Sequence, residues 1–176
     1  QQLKQCKLHT LYLGLESGDD ETLKRVQKHE TAKQMLDASA LVQQQGLRLS
    51  VMILLGLAGK EHSERHIHCT ADILNQMQPR LLSCLRVIPI PGTAFHSQIQ
   101  QHIITPLSEY DIVLEMIDLL QQLKLTQTIF RTNHSSNITP LEGRLPKDAP
   151  QFIYTLNSLL QSNRLNKKYA PTPLWL

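Results

Sequence analysis

Short apolar runs alternate along the chain with longer segments whose apolar residues recur every three or four positions. Runs rich in Leu, Val and Ile predict strands, and the helically spaced segments that follow them predict amphipathic helices. The predicted strands cover residues 9–15, 49–55, 82–88 and 127–132. The predicted helices begin near Asp19, Thr31, Glu61, Ser108 and Pro150. Strands that alternate with long helices indicate βαβ units and a parallel sheet.

Capping residues support several of these helix starts. Asp19 can accept hydrogen bonds from the first turn of its helix, which is expected to run to about Lys28. Thr31 with Gln34 has the spacing of a capping box. Residues 94–106 lack a clear period and are expected to be irregular.

The number of repeated units predicts the fold class. Four βα units are about half of an eight-unit barrel, which typically needs roughly 250 residues. The predicted fold is α/β, with repeated βα units that form half of a TIM-type barrel around a mainly parallel sheet. We expect one domain over residues 1–176, with a core at 8–132 and a C-terminal helical extension at 148–176. Gln1 lies almost directly before the first strand, so we expect the later part of a longer chain.

The composition is that of an ordinary globular protein, with 41% hydrophobic and 19% charged residues. No apolar run approaches the roughly 20 residues needed to span a membrane, so no membrane association is expected. Cys6, Cys69 and Cys84 are odd in number and widely spaced. This pattern argues against a disulfide framework and a CxxC-type metal site. It favours a cytoplasmic protein with reduced thiols.

The net charge of +3 is a weak basic bias. Nucleic-acid binders usually concentrate Lys and Arg on one face or stripe. Here there is only a short basic cluster of Arg164, Lys167 and Lys168. A nucleic-acid partner is therefore not expected, although a tRNA substrate stays open.

Function in folds of this kind gathers at the C-terminal ends of the strands. Three segments at these ends, in this order, carry a resemblance: GLESGDDETLKRVQKHET, GLRLSVMILLGLAGKEHSE and PIPGT. Across residues 8–95 the chain resembles the radical S-adenosylmethionine enzymes. It is most similar to the branch grouped with oxygen-independent coproporphyrinogen oxidases and their relatives of uncertain substrate.

The resemblance implies a cofactor arrangement. S-adenosylmethionine would bind at the strand ends, beside a [4Fe–4S] cluster held by a CxxxCxxC loop, and the whole enzyme would abstract a hydrogen atom with a 5′-deoxyadenosyl radical. This sequence contains no CxxxCxxC motif. The chain is therefore expected to be inactive alone and to bind no cofactor as a fragment. It would contribute part of the nucleoside pocket and one wall of a substrate cavity.

The resemblance also implies cofactor contacts at particular positions of this sequence. The implied positions are Glu16, Ser17, Lys28, Leu54, Gly56, Gly59 and Ile88. Each has an ordinary structural alternative: an anion at a helix start for Glu16, a cation at a helix end for Lys28, and core or turn packing for the apolar and glycine positions. Met52 stands where porphyrinogen oxidases carry an aspartate, which argues against assuming a porphyrin substrate.

Two polar groups lie outside these positions. Arg131, Asn133 and His134 are substrate-side candidates, since arginine can bind a carboxylate and histidine can move a proton. The alternative is a polar loop. His62, His66 and Cys69 are expected to face solvent, opposite a core face that contains Ile67, Ala71 and Leu74, so no metal site is expected.

Two other functions remain open. The chain can be a cluster-free α/β module that binds a nucleoside or another small molecule. It can also be an assembly unit, because a half barrel exposes its first and last strands and exposed edges invite pairing. We therefore expect a homo-oligomer formed through the sheet edges.

Overall fold

The part of the chain that the structure describes, residues 6–169 of a computed structural model, contains one five-stranded sheet. Its strands are β1 (Thr10–Glu16), β2 (Arg48–Leu55), β3 (Leu81–Arg86), β4 (Thr128–Arg131) and β5 (Glu142–Leu145). They lie in chain order, β1 to β4 are parallel, and β5 is antiparallel to β4. The predicted α/β fold with a mainly parallel sheet is confirmed, and the alternating βα units are consistent with a partial TIM-type barrel.

The helices begin largely where the capping residues predict. They are α1 (Asp20–Arg25), α2 (Ala32–Gln44), α3 (Ser63–Met77), α4 (Ala94–Gln100), α5 (Glu109–Gln122) and α6 (Ala149–Gln161), with a 3-10 turn at Lys60–His62. Asp19 caps α1. Thr31 with Gln34 and Ser108 with Asp111 form complete capping boxes. No helix within residues 6–169 is long and apolar enough to cross a bilayer.

Two local predictions were wrong, and one strand was not predicted. The first helix ends at Arg25 rather than near Lys28, whose side chain turns back to β1. Residues 94–106 are not entirely irregular, because Thr93 caps the short helix α4. Strand β5 was missed because Glu142-Gly143-Arg144-Leu145 has no apolar alternation and is held by backbone pairing to β4.

The two faces of the sheet differ in how they are covered. One face packs against α2, α3 and α5 and carries fully buried side chains from four strands. The strand register places Tyr12, Met52 and Leu85 on the opposite face. That face, here called the open face, is half-buried at Met52 and Leu85 and 69% exposed at Tyr12.

Helix α4 covers the C-terminal end of the open face. Phe95 and Ile99 from this helix pack in a small apolar cluster with Leu54 near the end of β2 and Val87 just after β3. The Gln98 amide donates to the Arg25 carbonyl at 2.6 Å and fastens α4 to the end of α1. Helix α4 therefore covers the ends of β2 and β3.

Helix α6 belongs to the main core. Phe152 is 7% exposed, and its ring centroid lies 5.7 Å from that of fully buried Phe130 in β4.

Phe152→Ala is expected to lower the free energy of unfolding by about 3–5 kcal/mol, because it removes a packed aromatic ring. Urea denaturation measures the loss. Tyr154→Ala, in the same helix at 69% exposure, is the control and is expected to change stability by less than about 0.5 kcal/mol. Equal losses in the two variants would contradict this packing.

Candidate functional site

The candidate site lies where β1 and β2 end and the chain turns toward the helices. The register between β1 and β2 shifts between Gly14 and Glu16, and Glu16 has a backbone φ of 59°. A positive φ is unfavourable for a residue other than glycine, by about 1–3 kcal/mol. The surrounding contacts therefore hold Glu16 in a strained conformation, with its side chain directed over Gly14.

Glu16 and Lys28 form an ion pair at this strand end. The Lys28 Nζ lies 3.3 Å from the Glu16 carboxylate and also donates to the Gly14 carbonyl oxygen. The side chains are 22% exposed at Lys28 and 27% exposed at Glu16. A Cβ at Gly14 would overlap the Glu16 carboxylate, so the absent side chain at Gly14 makes room for the pair. One carboxylate and one ammonium group are thus held together within reach of solvent.

Ser17 points away from the pair and into the protein. Its hydroxyl lies 2.7 Å from Nδ1 of His66 and accepts the Asp19 N–H at 3.0 Å. The other ring nitrogen of His66 lies 3.2 Å from the Leu54 carbonyl oxygen. Since a carbonyl only accepts, Nε2 carries the proton and Nδ1 accepts from Ser17. The chain Ser17–His66–Leu54, here called the clamp, joins the ends of β1 and β2 to α3.

The prediction that His66 faces solvent was wrong. His66 is fully buried, and burial lowers its pKa to about 4, although the hydrogen bond to the Leu54 carbonyl acts in the opposite direction. The prediction centred the core face of α3 on Ile67, Ala71 and Leu74. Thr70 and Met77 are also buried and shift that face toward His66. His62 and Cys69 are half-buried. Within residues 6–169 no group of three or more His, Cys, Asp or Glu side chains is arranged to hold a metal ion.

Asp19 adds a second connection between the strand end and α3. Its carboxylate accepts from the Thr22 hydroxyl at 2.6 Å and from the Arg65 guanidinium at 3.0 Å. Burial by itself raises the pKa of Asp19, but the bonds from Thr22 and Arg65 lower it below its ordinary value. Asp19 therefore caps α1 as a charged group and ties it to α3.

Glu115 fixes the turn after β2. Its two carboxylate oxygens accept the Gly56 N–H at 2.5 Å and the Ser63 hydroxyl at 2.6 Å. Glu115 is 3% exposed, and burial raises its pKa to about 7, against the hydrogen bonds from Ser63 and Gly56. We did not predict this residue. A signal was available, since Glu115 lies three residues after Ile112 and four before Leu119 on the apolar face of α5.

The remaining implied cofactor positions surround this turn. Gly56 and Gly59 have φ values of 79° and 73°. A Cβ at Gly56 would lie 2.8 Å from Ile112, so glycine is needed there for packing as well as for conformation. Leu54 is half-buried against the α4 cluster, and Ile88 is half-buried just beyond β3. Their roles toward a cofactor stay predictions.

The substrate-side candidates do not converge. Arg131 donates to Glu142 of β5 at 2.9 Å, while its Nε is buried without a partner. Strand β4 ends at Arg131, so Asn133 and His134 lie in the loop beyond the strand. Asn133 and His134 are exposed, and Nδ1 of His134 accepts the Ser136 N–H at 3.1 Å.

Asn137 holds this polar loop in place. Its amide nitrogen donates to the Cys84 carbonyl at 2.8 Å and to the Thr132 carbonyl at 3.0 Å. The two bonds attach the loop to β3 and to the residue that follows β4.

His66 and Glu115 are buried and have pKa values shifted in opposite directions. Each therefore gives the free energy of unfolding its own pH dependence, and a variant of either residue reveals the effect of the other. His66 titrates near 6.5 when unfolded and near 4 when folded, so its contribution to stability is lost as the pH falls through that interval. Glu115 titrates near 4.5 when unfolded and near 7 when folded, so its contribution is lost as the pH rises through that interval. The two effects cancel between pH 4.5 and 6.5.

Glu115→Gln is expected to lose about 2–3 kcal/mol of unfolding free energy relative to the wild type when the pH falls from 6.5 to 4.5. His66→Gln is expected to gain a similar amount over the same interval. Urea denaturation at several pH values measures both differences, and comparison with the wild type removes the effect of other carboxylates. Glu64→Gln, at an exposed position of α3, is the control with no expected difference. The same pH dependence of unfolding free energy in the wild type and all three variants would contradict the opposite pKa shifts of His66 and Glu115.

Comparison with known proteins supports the fold. The sequence matches no protein-family model and no curated protein. Among solved structures, the fold is similar to that of the archaeal Methanocaldococcus infernus Elp3 with an N-terminal deletion (1–46), with a TM-score of 0.60 and 14% sequence identity. The match covers 90% of this chain and 37% of that chain. The chain thus has the fold of the part of Elp3 that it matches, and it spans about a third of the length of that Elp3 chain.

Proposed function

We propose that this chain is part of a radical S-adenosylmethionine enzyme and that it supplies part of the nucleoside pocket and one wall of the substrate cavity. The similarity to part of Elp3 and the order of the three strand-end segments support the proposal. Within that superfamily we favour the branch that resembles oxygen-independent coproporphyrinogen oxidases, and a cytoplasmic location in keeping with free thiols at Cys6, Cys69 and Cys84.

The Glu16–Lys28 pair carries the proposal. The methionine end of S-adenosylmethionine bears one ammonium and one carboxylate group. Lys28 can bind the carboxylate, although as a point charge without the fork of an arginine. Glu16 can accept from the ammonium group or from a ribose hydroxyl. A partly exposed ion pair contributes only about 0–1 kcal/mol, so a ligand with both charges can replace it at small cost.

The nucleoside would lie against the turn after β2. Gly56 and Gly59 lack side chains where their backbone must approach a ligand closely. Leu54 offers an apolar contact and Ile88 a backbone contact for the base. Ser17 would not contact the nucleoside directly. It positions the ends of β1 and β2 through its hydrogen bond to His66 in the clamp. The other residues offer the backbone and apolar contacts that a nucleoside would use, and the cofactor would supply the hydrogen-atom abstraction.

The cysteines of this chain do not fit an iron–sulfur cluster. Cys84 is fully buried, and burial raises the pKa of its thiol far above the usual range, while Cys6 is exposed and Cys69 lies on α3. The sequence has no CxxxCxxC motif. In this proposal the cluster ligands come from outside these 176 residues, and the isolated chain is inactive.

The substrate would face the loop that follows β4. Arg131 can bind a substrate carboxylate if it exchanges its bond to Glu142. Exposed His134 can move a proton, and Asn133 can add a hydrogen bond. The substrate stays unnamed in this proposal, with a small molecule favoured over tRNA.

The reading frame upstream of Gln1 offers the sharpest test. A CxxxCxxC motif roughly 100 or more residues earlier, near a first barrel strand, is expected. In that longer protein, Lys28→Ala is expected to weaken S-adenosylmethionine binding at least about tenfold, since one charge-assisted hydrogen bond contributes about 1.5–3 kcal/mol. Isothermal titration calorimetry measures the affinity. Lys24→Ala removes the same charge from an exposed position of α1 and is expected to have no effect. An initiator methionine directly before Gln1 would overturn the proposal.

A second candidate function, a cluster-free assembly module, is favoured by the free edge of β1. Among the strands of residues 6–169, β1 pairs only with β2, and a cleft of about 330 Å³ follows its outer side along Tyr12, Leu13 and Gly14. Lys28 blocks one edge carbonyl, at Gly14. The segment around Tyr12 remains open to pairing with a second copy of the chain.

Tyr12→Lys is therefore expected to shift the isolated chain from a homo-oligomer to a monomer, because a charge on an edge strand opposes edge pairing. Light scattering coupled to size-exclusion chromatography measures the mass. Tyr154→Lys is a matched control, since Tyr154 has the same 69% exposure but lies on α6. A monomeric wild type at high protein concentration would count against the assembly function.

A further inference from the structure

The segment after α6 returns across the molecule toward the strand ends. Leu165 is 9% exposed and belongs to the main core. The Asn166 N–H donates to the Glu109 carboxylate at 2.9 Å, and its carbonyl accepts the Tyr110 N–H at 3.2 Å. The Lys167 ammonium lies 5.5 Å from the centre of the Tyr110 ring. These contacts anchor residues 165–167, here called the anchor, to the first turn of α5.

The anchor brings Tyr169 to the candidate site. Tyr169 lines a small cavity with Gly56, Val87 and Phe95, at the ends of β2 and β3. The free volume left there is about 10 Å³, about the least that holds one water molecule. Burial raises the pKa of the Tyr169 phenol, against the effect of nearby Arg86. Tyr169 is half-buried there, and almost no free volume is left between it and the turn after β2.

The walls of the cavity beside Tyr169 are suited to a flat ring. Val87, Phe95, Leu107 and Ile112 supply apolar contacts, and Gly56 brings bare backbone to the same space. Aromatic and aliphatic walls with a close backbone are suited to planar apolar groups with polar edges. A purine base has those properties, as does the phenol of Tyr169.

We propose that Tyr169 is an inhibitory strap residue, which occupies the nucleoside side of the candidate site and leaves before a purine ring enters. This inference rests on the proposed function, because it takes the turn after β2 as the nucleoside site. The strap and the ligand compete for one space. The anchor stays attached to α5, so within residues 6–169 the movement is confined to Lys168 and Tyr169. In this structure Tyr169 thus blocks the space for a nucleoside beside the turn after β2. The Glu16–Lys28 pair on the β1 side remains accessible.

Nitration of tyrosines with tetranitromethane, followed by mass spectrometry, tests whether the strap is closed. Tyr12 and Tyr154, both 69% exposed, are internal references. Tyr169 is expected to react at least tenfold more slowly than Tyr154 in the wild-type chain. Lys167→Ala, which removes the contact with the Tyr110 ring, is expected to bring the rate at Tyr169 closer to that of Tyr154. Equal rates at Tyr169 and Tyr154 in the wild type would overturn the strap and leave the proposed function intact.

Adenosine binding, followed by saturation-transfer NMR, tests the competition. Tyr169→Ala is expected to bind adenosine at least tenfold more tightly than the wild type, whereas the control Tyr154→Ala is expected to match the wild type. Equal binding by all three proteins would overturn the strap alone. Binding by none of them would overturn both the strap and the nucleoside pocket of the proposed function.

Discussion

A single buried hydrogen-bond chain positions most of the candidate site. The Ser17 hydroxyl, the His66 ring and the Leu54 carbonyl follow one another at distances of 2.7 Å and 3.2 Å, and Asp19 adds its N–H to Ser17. Each donor has an acceptor, so the imidazole has no place for a second proton. Such a fully satisfied polar network fixes its members in one arrangement. The ends of β1 and β2 are thereby held against α3.

The clamp also explains how the strained backbone at Glu16 persists. A positive φ at a non-glycine residue needs surrounding contacts that outweigh its cost. Ser17, the next residue, is fixed by the clamp, and the Glu16 side chain is held by Lys28. The strain places a carboxylate on the open face instead of in the core. Backbone geometry and surface charge at this strand end are thus two results of the same set of contacts.

The two faces of the sheet place a constraint on the whole fold. Parallel sheets are normally covered on both faces, and their strands are then apolar throughout. Residues 49–55 are apolar except for Ser50, yet Met52 and Leu54 on the open face are only half-buried. Helix α4 covers the strand ends, while Tyr12 near the start of the open face is exposed. This face has the apolar character of an interior surface.

Much of the fold could be predicted from local sequence signals, because caps and apolar periods depend on neighbouring residues. Asp19, Thr31 and Ser108 begin helices as their side chains predict. Long-range contacts were less accessible. Burial of His66 depends on a serine 49 positions away, and β5 depends on pairing with β4 instead of on its own sequence.

Gly18 shows how closely the site is set against its supporting helix. Its N–H donates to the Thr70 hydroxyl at 2.8 Å, and an added Cβ would lie 2.7 Å from the Thr70 Cα. The obstacle is helix backbone, which cannot rotate away as a side chain can. Glycine at position 18 therefore allows the chain after β1 to approach the backbone of α3 as closely as possible. Any larger residue would separate Ser17 from His66, and the electrostatic character of this strand end depends on that distance as much as on the charged residues themselves.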